Sequence, residues 1–569
     1  MAKLVLISGN ENLDSLGESI GRNAKILLLN PEFQEILSEK KLEFVTPDKM
    51  VGEKIRGRLL EKAVSITQEL EKSGIEYKGI NLMRAKSCEL TRQLYISFFE
   101  ALALANAVKK FSPEETIACR NTKGEEYLAV LGIKNKKIIC CGEKKMGGLF
   151  LDHAKKRAGQ ISGKLLAIIA PSPKKKANSI TVFSKSRGYF DELQNRLAQS
   201  KGFDLFSTEE ALLRHSLNPK NWLEKNTMPD AIRNKAEKAL LEKSIIKKCV
   251  IEKTDFSGLV RSAVKNSVES DFPKYAGFIN AMEKEFVKRK PKIVLLWVDS
   301  VPFERITALL AKKFCSVSVV LQHGIPAADR LLLKGWLPGF APLTADFFFS
   351  WGKNTSRLMR FHNVPEKRIF ETGNPRFEEI VTKKFERQKT MEKLGIKKSG
   401  KIILVLTQPM FYGFNPMEMA RAAINAAEKN PGVNCVIKTH PVEHFSGYEK
   451  RFAKRAIISR KISLHELIDA ADAVIGNSST SLIEAMLFEK PVIIFDPGKT
   501  AGFYEKNSAV LYAGNARELE GAVRSVFEKP ETLKLLGKAR KEFLKKELEF
   551  VENSGEKTIG LLKKIAGEN

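Results

Sequence analysis

Histidines, hydroxyls and an arginine recur just after apolar runs along this chain. The motifs are Asp299-Ser300, Gln322-His323-Gly324, Gly373-Asn374-Pro375-Arg376, Lys438-Thr439-His440-Pro441 and Asn477-Ser478-Ser479-Thr480-Ser481. Each follows a stretch that reads as a β-strand. Open parallel α/β sheets bind ligands at the carboxyl edge of their strands, so motifs distant in sequence can meet in one crevice. Imidazoles, hydroxyls, a guanidinium and helix N-termini together suit a phosphorylated ligand.

The serine-rich turn opens a predicted helix. Ser481 and Glu484 have capping-box spacing, which would satisfy orphan backbone donors. A cap requires one hydroxyl, and here four stand in a row, Ser478, Ser479, Thr480 and Ser481. The turn therefore reads as a phosphate or ribose site in which Glu484 would hold a ribose hydroxyl, with simple capping as the alternative. Pro441 ends the strand before it and aims the His440 imidazole out of the sheet edge, where it can stabilise charge on a leaving group. Lys438 either joins that site or merely flanks the strand.

Gly324 lets a ligand approach the backbone beside His323, and an imidazole is a natural general base near neutral pH. Asp299, one strand earlier, would act as base or orient His323. In the 373–376 turn, Asn374 suits an N-cap and Pro375 the first helical position, beside Gly373. Arg376 in the first helical turn opposes the helix dipole, which favours a bound anion there. The chain has no Walker A pattern, no G-x-G-x-x-G, no H-E-x-x-H and no Asp-x-Asp. A site free of metal and cofactor is expected, with the nucleotide-bearing donor as substrate.

These residues need elements to position them. Buried-strand patterns fall at 3–8, 25–29, 114–119, 137–141, 180–184, 292–298 and 317–321, with helical patterns between them, notably 85–110 and 271–290. After a Gly- and Pro-bearing boundary at 339–345, strand patterns resume near 345–350, 368–372, 401–406, 434–438, 472–475, 491–495 and 509–512. Strands alternating with helices imply doubly wound parallel sheets, hence an α/β class. Two Rossmann-like domains facing a central cleft are expected. Residues 1–338 would form one domain with a basic helical region at about 142–270, which the resemblance given below makes the acceptor side. Residues 345–569 would form a second domain ending in helices, which the resemblance given below makes the nucleotide-donor side.

Composition narrows the partners. With 96 Lys and Arg against 67 Asp and Glu, the 569 residues carry +29. That field attracts polyanions: phosphorylated substrates, an anionic membrane surface or nucleic acid. No finger, RNP-type or helix-turn-helix signature supports specific nucleic-acid binding. Phe272, Tyr275, Phe278, Ile279, Met282 and Phe286 recur at helical spacing, which reads as core packing, with a lipid-acceptor groove as the alternative. The seven cysteines (88, 119, 140, 141, 249, 315, 435) lack C-x-x-C spacing and read as reduced thiols of a cytoplasmic protein. The first residues read as a strand, not a signal peptide. No run reaches the about 18 apolar residues of a membrane span, leaving peripheral contact with the inner membrane face.

The ordered motifs resemble enzymes of the GT-B fold: Gln322-His323-Gly324, then Thr372-Gly373-Asn374-Pro375-Arg376, Lys438-Thr439-His440-Pro441, and Asp472 through Ala485 with Lys490-Pro491. Within that fold they look like transferases of surface carbohydrate synthesis, namely CDP-glycerol glycerophosphotransferases, capsule polysaccharide transferases and bacterial polysialyltransferases. Their order is also similar to that of UDP-N-acetylglucosamine 2-epimerase. The resemblance covers about 292–513. It implies acceptor activation by His323, donor phosphate binding by His440, Ser478 and Ser479, and a donor nucleoside near Glu484. Glycerophosphotransferases usually carry Trp-His-Gly-Thr where this chain has Gln322-His323-Gly324-Ile325. The epimerase carries acidic residues for proton transfer, of which Asp299 alone has a counterpart here. A nucleotide-sugar-dependent glycosyltransferase with a carbohydrate or lipid-linked acceptor is the leading expectation, followed by the epimerase and a non-enzymatic polyanion-binding module.

Overall fold

The computed structural model describes residues 3–9, 24–140, 179–184, 191–200, 202–207, 228–326, 333–411, 413–443, 445–504 and 507–567. Much of the expected basic helical region at about 142–270 lies outside them. Two compact units divide the chain. One comprises residues 1–320, 342–347 and 563–569, and the other 321–341 and 348–562. The chain thus passes between units more than once, where the sequence suggested a single boundary at 339–345. Residues 321–341 group with the later part of the chain, and the residues after His323 explain this below.

In the first unit the strand patterns of the first half fall into separate sheets, not one. The first sheet runs Phe44–Val45, Lys25–Leu28, Lys3–Ile7, Glu115–Cys119, Lys136–Ile139, with every pairing parallel. The second joins Val317–Leu321, Ile293–Leu296, Ile180–Ser184 and Phe203–Ser207, again in parallel. The last of these strands was not evident in the sequence. Helix Leu82–Phe111 is longer than expected, starting where Asn81 caps the Arg84 N–H. The aromatic stripe of helix Phe272–Arg289 is mainly core. Phe272, Tyr275, Ile279, Met282 and Phe286 are buried, and Phe278 lies against Phe303 nearer the surface. A π-turn, Ser267–Asp271, precedes it.

In the second unit Phe347–Ser350 pairs with Ile369–Glu371. The large sheet runs Ile457–Ser459, Val433–Lys438, Lys401–Leu406, Ala473–Gly476, Val492–Phe495, Leu511–Ala513. Its strands are continuous apolar runs because both faces are covered. Ile403, Val405, Ile437 and Ile475 join one buried cluster with the alanine-rich helix Pro416–Glu428. Ile402, Leu404, Leu406 and Val436 join another with Leu467, Ile468 and Leu482. The two-residue period splits one strand between two cores, and that is what doubly wound means at the level of side chains. The α/β class expected from the alternation is the class observed.

Cysteines divide less simply than expected. Cys88, Cys249 and Cys435 are free and buried, and burial pushes Cys435 up to about 12, so they are inert thiols. Cys140 and Cys315 are free but exposed. Cys119 is disulfide-bonded, contrary to the expectation of seven reduced thiols. Sequence spacing gave no sign of it.

Candidate functional site

The carboxyl edge of the large sheet in the second unit gathers most of the expected donor residues. Strand Val433–Lys438 ends at Lys438, and the chain turns at His440. The His440 N–H donates to Thr407 Oγ1 at 3.1 Å and to Glu443 Oε2 at 3.0 Å. Its Nδ1 accepts from the Val442 N–H at 3.3 Å, which leaves the ring proton on Nε2. Burial pushes the imidazole below the ordinary histidine range, further than Glu443 raises it. His440 is therefore a neutral hydrogen-bond donor near neutral pH. Lys438 behaves differently. Its ammonium donates to the carbonyls of Arg460 at 3.1 Å and Ile462 at 2.7 Å, so it ties down the loop after Ile457–Ser459.

Beside His440, strand Ala473–Gly476 ends at Asn477, which is fully buried. Its amide donates to the Phe495 carbonyl and to Asp496 Oδ1. Gln408, at the end of strand Lys401–Leu406, donates to Asn477 Oδ1 and Ser478 Oγ, and accepts from the Ser478 N–H at 3.2 Å. Asp496 accepts from Thr500, Ala501 and the Tyr512 hydroxyl. Burial raises its carboxyl, but these donors outweigh it and the group stays below the usual carboxylate range. This network holds the serine-rich turn. Next in that turn, the Ser479 and Ser481 hydroxyls share a 2.6 Å hydrogen bond.

The expected capping box at Ser481 and Glu484 does not form. Thr480 is the N-cap of helix Ser481–Leu487 and makes no side-chain cap bond. Glu484, 2% exposed, turns inward. Its carboxylate meets Arg376 Nη2 at 3.0 Å and His465 Nε2 at 2.9 Å. Two of the expected donor residues are thus joined, and the anion that Arg376 called for is the protein's own glutamate. The Glu484 carboxylate is held by Arg376 and His465, so it does not reach back to the backbone N–H that a capping box requires. Asn374 caps as expected, accepting from the Arg376 N–H at 3.1 Å.

Gly373 meets a structural demand of its own. It adopts φ +73°, and a Cβ there would lie 2.2 Å from the Glu549 carbonyl oxygen. A C-terminal segment crosses at this point, where the Glu549 N–H donates to the Trp351 carbonyl.

The His323 loop reaches the same turn. The Ile325 N–H donates to Thr480 Oγ1 at 3.3 Å, and a Cβ on Gly324 would lie 3.3 Å from that oxygen. Gln322 anchors the loop. Its side chain donates to the Gly324 carbonyl and Thr355 and accepts from the Trp351 N–H. The His323 ring stacks on Phe340 with centroids 5.4 Å apart. Asp299, in the other unit, is 1% exposed and accepts the backbone N–H groups of Thr344 and Ala345. These two bonds are a structural use of the carboxylate, alongside the role as base or partner of His323 that the sequence suggested.

Sequence reasoning missed Thr407, Gln408, Glu443, His465 and Asp496. The strand-end rule that found His440 points equally to Thr407 and Gln408 after strand 401–406, and to Asp496 after 492–495. His465 had no such signal, because it lies inside helix Leu464–Ala470. Among the described residues no cluster of metal-ligating side chains occurs, and no helix is long and apolar enough to cross a membrane.

A family model described as UDP-N-acetylglucosamine 2-epimerase matches residues 342–547. The stretch that carries the 373–376, 438–440 and 477–484 motifs is therefore the stretch similar to that enzyme family. Similar solved structures include the S. aureus MnaA–UDP co-structure, at 14% identity and TM-score 0.46, covering 68% of this chain and 97% of that one. The Neisseria meningitidis UDP-GlcNAc 2-epimerase bound to UDP-GlcNAc has 11% identity and TM-score 0.45, with coverage of 68% and 99%. A variant of the wall teichoic acid polymerase TagF has 14% identity and TM-score 0.41, with coverage of 69% and 91%. No curated protein matches the chain.

Proposed function

We propose that the chain is a GT-B-type glycosyltransferase of surface polysaccharide or glycoconjugate synthesis, taking a nucleotide sugar as donor and needing no metal or other cofactor. The observation that carries this reading is the hydrogen bond between the Ile325 N–H and Thr480 Oγ1. It joins the loop of the candidate base to the turn of the candidate donor site within one unit. The acceptor is a carbohydrate or lipid-linked hydroxyl. Its oxygen forms the bond to the anomeric carbon while the bond from that carbon to the donor phosphate breaks. His323 takes the hydroxyl proton. The His440 Nε2–H and the 478–481 turn stabilise the departing phosphate, a role suited to a neutral donor with a fixed tautomer.

The match to an epimerase family over 342–547 favours a second reading, 2-epimerisation of a UDP-sugar without acceptor. Incubation with the UDP-sugar alone separates the two, because only the epimerase produces a second sugar signal by NMR.

The first test is thermal stabilisation by UDP, CDP, CMP, GDP and their sugars, in the wild type and in His440→Ala. Selective stabilisation by one nucleotide, lost in the variant, is expected. Stabilisation unchanged by the substitution would overturn the assignment of His440 to the donor phosphates. Turnover unaffected in His323→Ala would overturn the assignment of the base.

A further inference from the structure

Helix Pro530–Glu547 carries Lys534, Lys538, Lys541 and Lys545, a spacing that aligns them along one face. All four are exposed. Among the described residues none of them has an ion-pair or hydrogen-bond partner. Glu542 stands four residues after Lys538 in the less favourable order for a helical pair, and no pair forms. Lys545 sits in the last turn, where the helix dipole rewards a cation, but Lys534 and Lys538 lie in the N-terminal half, where it does not. Leucines flank the stripe at its start. Leu533 is 43% exposed, and Leu535, at 69%, is the most exposed large hydrophobic side chain among the described residues. The opposite face is anchored in the second unit by buried Leu536 and by Arg540, whose guanidinium donates to the Glu489 carbonyl at 2.6 Å.

We propose that this face docks on an anionic lipid surface. The lysines supply the electrostatic attraction, and Leu533 and Leu535 enter the headgroup region beside them. Charge complementarity alone would suit nucleic acid equally, but a phosphate backbone offers two exposed leucines nothing to bury against. The inference is independent of the nucleotide site, since none of these residues belongs to it.

The test uses the full chain with vesicles of phosphatidylcholine, with and without phosphatidylglycerol, in a sedimentation assay. Binding only to the anionic vesicles, weakened by salt, is expected. Replacing the four lysines by Gln changes 4 of 96 basic residues, so a general charge effect would be small. Each lysine near an anionic surface strengthens binding about fivefold, so the quadruple variant should bind roughly several hundredfold more weakly. Leu533→Ser with Leu535→Ser should weaken binding while leaving the salt dependence intact. The substitutions are on the surface, and an unchanged melting temperature would verify the fold. Vesicle binding untouched by the lysine changes overturns the proposal. So does an absence of vesicle binding together with lysine-dependent binding of RNA or duplex DNA, which would assign the face to nucleic acid.

Discussion

Asp299 and His440 occupy the same kind of position, just past a buried strand, yet their surroundings use them in opposite ways. In the first unit Asp299 serves the fold through its Oδ2. Its carboxylate holds the Thr344 and Ala345 amides, while fully buried Arg305 donates to Ser87, Cys88, Thr344 and the Pro342 carbonyl. In the second unit a buried layer of Gln408, Asn477 and Asp496 holds the serine-rich turn, while the half-buried His440 ring accepts the Val442 N–H at Nδ1 and keeps its proton on Nε2. A polar residue at a strand end becomes available to a ligand when another polar residue beneath it satisfies the fold.

The strongest way to break that contrast is Asp299→Ala. It leaves two buried amides without an acceptor, and a loss of about 3 kcal/mol is expected in denaturant unfolding. Asp299→Asn keeps an acceptor and should lose roughly 1 kcal/mol while retaining most turnover. Abolished turnover at near-normal stability would instead make Asp299 a base. Arg376→Gln should cost about 2 kcal/mol, since Glu484 loses a partner but keeps His465. It should also weaken nucleotide-induced stabilisation, and unaltered binding would separate the pair from the donor site.

A smaller effect comes from pH. Burial holds His362 and His440 below the ordinary histidine value, against weaker opposing contributions from the Leu333 backbone and from Glu443. Both imidazoles take up a proton more readily unfolded than folded. Their stabilising contribution is complete above the unfolded value, about 6.5, and is lost as pH falls through the lower folded values. Melting temperature should drop on acidification, less steeply in His362→Leu, and a slope unchanged by that substitution would remove His362 from the account. The smallest stability effect is expected for His440→Ala, less than about 1 kcal/mol, because the interactions holding the turn run through its backbone.

Much of the second unit could be read in advance. Strands 401–406, 473–476 and 492–495 are unbroken apolar runs, and the residues after them follow from the strand-end rule. Asn374 and Pro375 declared a helix start through local chemistry. The neighbour of Gly373 could not be read, because its positive φ serves a close backbone approach to Glu549, far away in sequence. His465 was invisible because its partner, Glu484, comes from a different helix.

The sequence alone determined what repeats locally: the two-residue alternation that covers both faces of the sheet, the caps, and the polar residues at strand ends. Tertiary structure decided which of those residues the fold would use. Capping and strand formation are settled within a few residues of backbone. Whether a carboxylate such as Glu484 faces a ligand or an arginine depends on desolvation and on charges that only the folded chain brings within reach.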